Sequence, residues 1–230
     1  MVDGSRAPRW RDIDILTVLV LYALGLLIFF SVQSLLLGSA PFDQIQKNTV
    51  RFLLEEFLDA CLLAFLPIFF VVKVYGAELR EIGLSSVQLL RQAVVGAASG
   101  LLLYGAVAIV EWITESAFGV RVSHPYLEIL EGTNSFTTSL AIYFSIVVLA
   151  PLSEEIYFRG FVYSILKRNH GVPVAVILSA TMFTVVHFSM ASLLPVSIIG
   201  VGLAVLFERS GSLAAPIVAH AAFNALSVLT

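Results

Sequence analysis

Residues 151–160 read Pro-Leu-Ser-Glu-Glu-Ile-Tyr-Phe-Arg-Gly and interrupt a long apolar run. No charged residue occurs in residues 136–153, and none occurs in residues 160–166. An ionisable side chain at the centre of a bilayer costs about 2.5–3.5 kcal/mol on insertion scales. The three ionisable side chains within six residues therefore indicate a functional site inside a membrane helix, and they are Glu154, Glu155 and Arg159.

The composition outside this stretch excludes several classes of protein. The chain is 59% hydrophobic and 13% charged, whereas soluble domains carry about 25% charged residues. A net charge of −3 without a basic tract gives no reason to expect nucleic acid as a partner. The single cysteine, Cys61, excludes a disulfide framework, and its apolar surroundings predict a buried thiol.

Apolar segments long enough to cross about 30 Å of hydrocarbon recur along the chain. Because barrel strands would instead alternate over about 10 residues, we predict an all-α, polytopic membrane helix bundle of seven to eight transmembrane segments. We expect one integral-membrane domain over residues 1–230, with N-terminal helices in 1–73 and a core in 74–230. The predicted spans are 15–37, 52–72, 93–110, 136–166, 172–188, 193–207 and 213–230.

The uncertain number of spans comes from the region that contains the charged motif. Pro151 removes a backbone hydrogen bond, and Ser153 is a good N-cap. A break here would divide residues 136–166 into two helices and place Glu154 and Glu155 in a first turn, where the helix dipole favours negative charge. An unbroken helix is the alternative.

Charged residues between the spans predict the orientation of the bundle. The first span is too long for the apolar region of a signal peptide, so we expect it to be retained. The basic loop with Lys73, Arg80 and Arg91 predicts a cytoplasmic side, and we place the N-terminus there too. The acidic connection 114–137 fits the other side, and its His124 is predicted to be solvated.

Two further patterns concern the second and third spans. Gly96 and Gly100 have the small-xxx-small spacing that lets a neighbouring helix approach closely. The second span begins with Glu55, Glu56 and Asp59, which indicates an interfacial or cavity-facing start. Glu55-Glu56 is not a second copy of the charged motif, because no arginine follows four residues later.

The later spans contain few polar residues that could serve as partners for the charged motif. Glu155 and Arg159 are four residues apart, so they can pair on one helical face and leave Glu154 without a local partner. His187 follows Phe183 by four residues, and His220 precedes Asn224 by four. Because a buried polar group in lipid needs a partner, we expect these side chains to meet.

These side chains suit the activation of water and the stabilisation of an oxyanion. Glu154 could accept a proton from water that His187 orients, while His220 and Asn224 could donate hydrogen bonds to a developing oxyanion. The same two histidines and glutamate could instead bind Zn²⁺ with an open position for water. The sequence leaves the metal-free and the zinc-bound site equally open.

The ordered motifs resemble those of the CPBP family, the CAAX-protease and bacteriocin-processing (Abi) group of intramembrane proteases. The motifs are Glu154-Glu155-x-x-x-Arg159, Phe183-x-x-x-His187 and His220-x-x-x-Asn224. Two weaker features are also similar to that family, residues 81–84 (Glu-Ile-Gly-Leu) and the loop 208–213.

The resemblance implies an eight-helix membrane fold and endopeptidase activity. It implies that Glu154 and His187 activate water, that His220 and Asn224 form the oxyanion site, and that Glu155–Arg159, with Phe183 beside His187, supports the site. The implied substrate is a membrane-presented peptide or protein, either a CAAX-type chain, prenylated or not, or a bacteriocin- or pheromone-like peptide.

The implied location is a prokaryotic cell membrane, with the lipid bilayer as the surrounding partner. A catalytically inactive membrane scaffold or a bacteriocin self-immunity protein, which binds through the same polar cavity, is the alternative function. A proton-coupled transporter is a weaker third reading, because no inverted repeat is evident.

Overall fold

The computed structural model describes residues 10–37, 49–119, 130, 135–187 and 192–229. The predictions for His124 and for most of the connection 114–137 lie outside these residues. Within the described residues there is no strand, and seven helices follow one another along the chain, besides a 3₁₀ turn at Leu79–Ile82. Their bounds are α1 Asp12–Leu37, α2 Thr49–Phe69 with a π-helical extension Phe70–Val74, α3 Leu89–Phe118, α4 Phe136–His170, α5 Val172–Val185, α6 Leu193–Ser210 and α7 Ala214–Leu229.

The helix lengths confirm the predicted all-α membrane bundle. Five of the described helices (α1, α2, α3, α4 and α6) are long and apolar enough to cross a bilayer. The other two, α5 and α7, are shorter apolar helices. The described segments therefore agree with the prediction of seven to eight.

Helix α4 is one continuous helical run, so the predicted alternative of a break at Pro151 is wrong. Ser153 does not cap a new helix, because its hydroxyl donates to the carbonyl oxygens of Leu149 at 3.0 Å and Ala150 at 3.1 Å within the same run. Residues Ser145–Leu149 form a π-helical turn just before the proline. Such a turn changes the hydrogen-bond register where the proline N–H is missing, and the helix continues.

The charged motif lies in the centre of the bundle, because α4 is its most buried helix. Every residue from Glu155 to Leu166 is buried. A second π-helical stretch, Ile156–Tyr163, begins directly after the two glutamates. π-Helical turns inside α-helices are frequent at functional sites.

Helices α3 and α7 approach each other closely along a stripe of small residues, as the glycine spacing predicted. A Cβ atom added to Gly96 would lie 2.5 Å from the carbonyl oxygen of Ala215, and one added to Gly100 would lie 2.5 Å from that of Ala219. These positions therefore require glycine, and the contact fixes α7, which carries His220.

Polar side chains join several helices at one end of the bundle, which we call the basic end. Asp12 at the start of α1 accepts from His170 Nε2 at 2.8 Å at the end of α4. The Lys167 ammonium lies 2.6 Å from Glu208 at the end of α6, and the Arg168 guanidinium lies 4.4 Å from the ring centre of Trp10. The N-terminus of α1 and the C-termini of α4 and α6 therefore share this end.

The two weak sequence features contact each other near the basic end. Gly83 has a φ angle of +82°, which favours glycine, and its carbonyl oxygen accepts from the backbone N–H of Leu213 at 2.9 Å. A Cβ atom at Gly83 would also lie 2.5 Å from the ring of Phe207. Residues 81–84 and the loop 208–213 thus hold the ends of α6 and α7 together.

The predicted burial of Cys61 is wrong, because its side chain is exposed on the surface of α2. An apolar run in a membrane helix does not distinguish a side chain that faces lipid from one that faces protein, since both surroundings are apolar.

Candidate active site

Glu155 and Arg159 form a fully buried ion pair on α4. The Arg159 Nη1 donates to Glu155 Oε1 at 2.8 Å, and both side chains are 0% exposed. Arg159 Nη2 also donates to the carbonyl oxygen of Gly200 on α6 at 2.9 Å. The guanidinium carbon lies 4.5 Å from the ring centre of Phe183 on α5. One arginine thus connects α4, α5 and α6.

His220 on α7 lies beside both glutamates of the motif. Its Nδ1 is 3.0 Å from Glu155 Oε1, and its Nε2 is 3.9 Å from Glu154 Oε2. Because Glu155 is paired with Arg159, its carboxylate oxygen accepts and His220 Nδ1 carries the proton. His220 Nε2 therefore accepts a hydrogen bond in the neutral ring and donates one only when both nitrogens are protonated.

Glu154 differs from its neighbour in being partly open. Its side chain is 21% exposed, against 0% for Glu155. The Glu154 Oε2 atom is buried and accepts no hydrogen bond from the described residues. Its carboxyl group lies within electrostatic range of His220 and His187. Glu154 is thus the carboxylate of the motif that another molecule can reach.

His187 lies directly after the last turn of α5 and is exposed. Its Nδ1 bonds to the carbonyl oxygen of Phe183 at 2.7 Å, and the two rings are 4.7 Å apart. A carbonyl oxygen only accepts, so Nδ1 carries the proton and the lone pair of Nε2 is available to a further partner.

Phe183 is the common neighbour of the charged and imidazole groups. It is 1% exposed, and its ring centre lies 5.8 Å from that of His220. The ring also contacts Phe158 of α4 at 5.2 Å, edge to face. This aromatic ring contacts Arg159 and both imidazoles and packs α5 against α4.

Asn224 is engaged differently from the expectation for an oxyanion donor. Its Nδ2 donates to the carbonyl oxygen of Ile146 at 2.9 Å, inside the π-helical turn of α4. One of its two amide N–H groups therefore joins α7 to α4, and the other has no acceptor among the described residues.

All seven side chains named from the sequence lie in one segment of the chain, and a comparison with protein families covers that segment. Residues 136–226 match the Rce1-like family model, described as type II CAAX prenyl endopeptidase Rce1-like. This match confirms the resemblance drawn from the motifs. Comparison with curated proteins and with solved structures gave no match.

The donor set of the Rce1-like segment has the chemistry of a zinc site but not the spacing. Each imidazole uses Nδ1 in a hydrogen bond and leaves Nε2 available, an arrangement common among zinc-ligating histidines. Within the described residues, however, no three His, Cys, Asp or Glu side chains lie close enough together to hold a metal ion. The chemistry below is therefore derived from the side chains alone.

Three polar residues outside the Rce1-like segment interact with Glu154 or with one another. Tyr22 of α1 and Glu56 of α2 are within electrostatic range of Glu154, and Asp59 accepts from the Tyr22 hydroxyl. The sequence predicted an interfacial or cavity-facing start of α2 at Glu56 and Asp59, but it gave no sign that these residues lie beside α4. That proximity depends on the packing of α2 against α4.

Proposed function

We propose that the chain is an intramembrane endopeptidase that hydrolyses a peptide bond in a membrane-presented substrate. The observation that carries the proposal is the difference between two adjacent carboxylates. Glu155 is closed off by Arg159 and His220, while Glu154 is partly exposed, lies 3.9 Å from His220 Nε2 and is within electrostatic range of His187. The match of this segment to an endopeptidase family supports the same reading.

In the proposed reaction, Glu154 takes a proton from a water molecule that also donates to His187 Nε2. The resulting hydroxide adds to the carbonyl carbon of the scissile peptide bond, and the carbonyl oxygen becomes an oxyanion. Glu154 then gives the proton to the leaving amine as the carbon–nitrogen bond breaks. One water is consumed, and one carboxyl group and one amine are formed.

The oxyanion would be held by His220 Nε2 and by the remaining N–H of Asn224. His220 can donate there only in its doubly protonated form, because Nδ1 already donates to Glu155. Preorganised donors of this kind act when charge develops and are worth about 10²–10³ in rate each. The Glu155–Arg159 pair holds His220 in the required orientation.

The proposed substrate is a CAAX-type chain or a bacteriocin- or pheromone-like peptide at the membrane. The test below compares prenylated and unprenylated forms of the CAAX substrate. The chain is a multi-pass membrane protein. We propose a prokaryotic cell membrane and place the basic end in the cytoplasm, because loops rich in Lys and Arg remain on that side.

The test is cleavage by the purified protein in liposomes, with farnesylated and unprenylated CAAX peptides and an apolar leader peptide as substrates. We expect a product with a new carboxyl terminus, identified by mass. Binding of these peptides without cleavage would overturn the proposal in favour of a scaffold or immunity protein. A parallel sample with a chelator shows whether activity needs a metal ion.

A further inference from the structure

Helix α2 carries three carboxylates in the first turns of its apolar span, Arg51–Val74. Each such group needs a reason, because ionisable side chains in a bilayer are costly. Phe52, Glu56, Asp59 and Leu63 have the spacing of one helical face. Phe52 packs with Ile142 and Ile146 of α4, so this face of α2 points towards the helix that carries Glu154.

Two of the three carboxylates are accounted for within the protein. Glu55 accepts from Arg51 Nε at 3.0 Å, and Asp59 accepts from the hydroxyl of Tyr22. Glu56 accepts no hydrogen bond from any described side chain, although it lies within electrostatic range of Asp59 and Glu154. Its hydrogen-bonding capacity is therefore available to another molecule.

Buried polar atoms of α4 also lack a hydrogen-bond partner among the described residues. Tyr157, 2% exposed, has a buried hydroxyl with no hydrogen-bond partner among the described residues. Its ring lies 6.5 Å from that of Phe161, which in turn contacts Phe70 at the end of α2 at 6.3 Å. Buried polar groups are normally paired, and Glu154 Oε2 is unpaired here too.

We propose that Glu56 is a substrate-positioning residue whose carboxyl group hydrogen-bonds to the main chain of the bound peptide beside Glu154. An extended peptide inside a membrane protein exposes N–H and C=O groups that lipid cannot satisfy, so the site must provide partners for them. An ionised carboxyl group accepts from N–H, and a protonated one also donates to C=O. This inference rests on the proposed function and extends the site beyond the Rce1-like segment to α2.

The test measures peptide binding in a background that cannot turn over. In Glu154→Gln protein, the affinity for fluorescent farnesylated CAAX peptide and for fluorescent apolar leader peptide is compared with and without a second change. Glu56→Ala should weaken binding by about tenfold, the upper range for one hydrogen bond. Glu56→Gln, which keeps a donor and an acceptor, should restore binding to within about threefold. Glu55→Ala on the neighbouring position is the matched control and should change binding less than about twofold.

The possible outcomes distinguish a failure of this inference from a failure of the endopeptidase proposal. The positioning role would be overturned if Glu56→Ala and Glu55→Ala changed the affinity equally, or if Glu56→Gln bound the peptide as weakly as Glu56→Ala. Neither result would bear on the endopeptidase proposal. If wild-type protein binds through Glu56 but does not cleave, the positioning role stands and the endopeptidase proposal fails. If neither peptide binds, both the positioning role and the endopeptidase proposal are overturned. Thermal unfolding of each variant in detergent identifies a loss of binding that is caused by misfolding. If Glu56→Ala misfolds, the affinity of Glu56→Gln is compared with that of the Glu154→Gln protein instead.

Discussion

At the scale of single residues, the two adjacent glutamates of α4 have opposite surroundings. Glu155 is enclosed by Arg159 and His220, whereas Glu154 is partly open and lies 3.9 Å from His220 Nε2. The 2.8 Å pair between Glu155 and Arg159 also leaves Glu155 Oε2 and Arg159 Nε buried without hydrogen bonds among the described residues. The pair is therefore better suited to fixing geometry than to stabilising the fold.

Removing one member of that pair should be strongly destabilising. Arg159→Met leaves the Glu155 carboxylate buried without its cation, which costs about 3–5 kcal/mol in comparable buried pairs. Denaturant unfolding in detergent micelles measures the loss. The double variant Glu155→Gln/Arg159→Met should recover a large part of it. A double variant no more stable than Arg159→Met would contradict this account.

The site residues differ in how far the sequence could predict their surroundings. The i, i+4 pairing of Glu155 with Arg159 is local, so helical spacing was enough to predict it. The contacts of His220 with Glu155 and of Arg159 with Gly200 join helices 41 to 65 residues apart in the chain. Spacing within one helix carries no information about such contacts. For the same reason, the hydrogen bond from Asn224 to Ile146 was not predicted.

At the scale of helices, α4 shows why composition predicts the existence of a span better than it predicts the geometry inside that span. Pro151 and Ser153 together favour a break, but the π-helical turn at Ser145–Leu149 precedes the proline and the helix continues. A π-helical turn has no sequence signature comparable to that of a cap. The packing of α3, in contrast, was predictable because glycine spacing directly permits close approach.

Helix α3 allows a controlled test of that packing. Gly100→Ala places a Cβ atom 2.5 Å from the carbonyl oxygen of Ala219, whereas a Cβ atom at Gly105 meets nothing within 4 Å. Gly100→Ala should lower the thermal unfolding temperature in detergent. Gly105→Ala should leave it unchanged or raise it, since alanine is favoured over glycine in a helix by about 1 kcal/mol. Equal effects of the two changes would show that α3 and α7 do not approach as described.

At the scale of the whole molecule, the basic end orders the bundle. A hydrogen bond there joins the start of α1 to the end of α4, and an ion pair joins the end of α4 to that of α6. Because consecutive spans must cross in opposite directions, these contacts agree with a chain that alternates from α1 to α7. Span lengths and loop charges predicted this alternation from the sequence. Neither quantity depends on which helices are neighbours in the fold.

The proposed orientation predicts the accessibility of the basic end. A cysteine introduced as Arg80→Cys, in a Cys61→Ala background, should react with a membrane-impermeant thiol reagent only after cells are permeabilised. A cysteine introduced as Phe136→Cys, at the opposite end of the bundle, should react in intact cells. The reverse pattern would contradict the placement of the basic end in the cytoplasm.

The central claim is that the partly open carboxylate of α4 performs hydrolysis, and one rate comparison tests it most directly. The measurement is the single-turnover rate of peptide cleavage by Glu154→Gln protein relative to wild type in liposomes, with thermal unfolding as the check on folding. We predict a loss of at least about 10²-fold, at the lower range for a general base, in a variant that unfolds at the wild-type temperature. A folded Glu154→Gln protein that cleaves at a rate within about threefold of wild type would contradict the account.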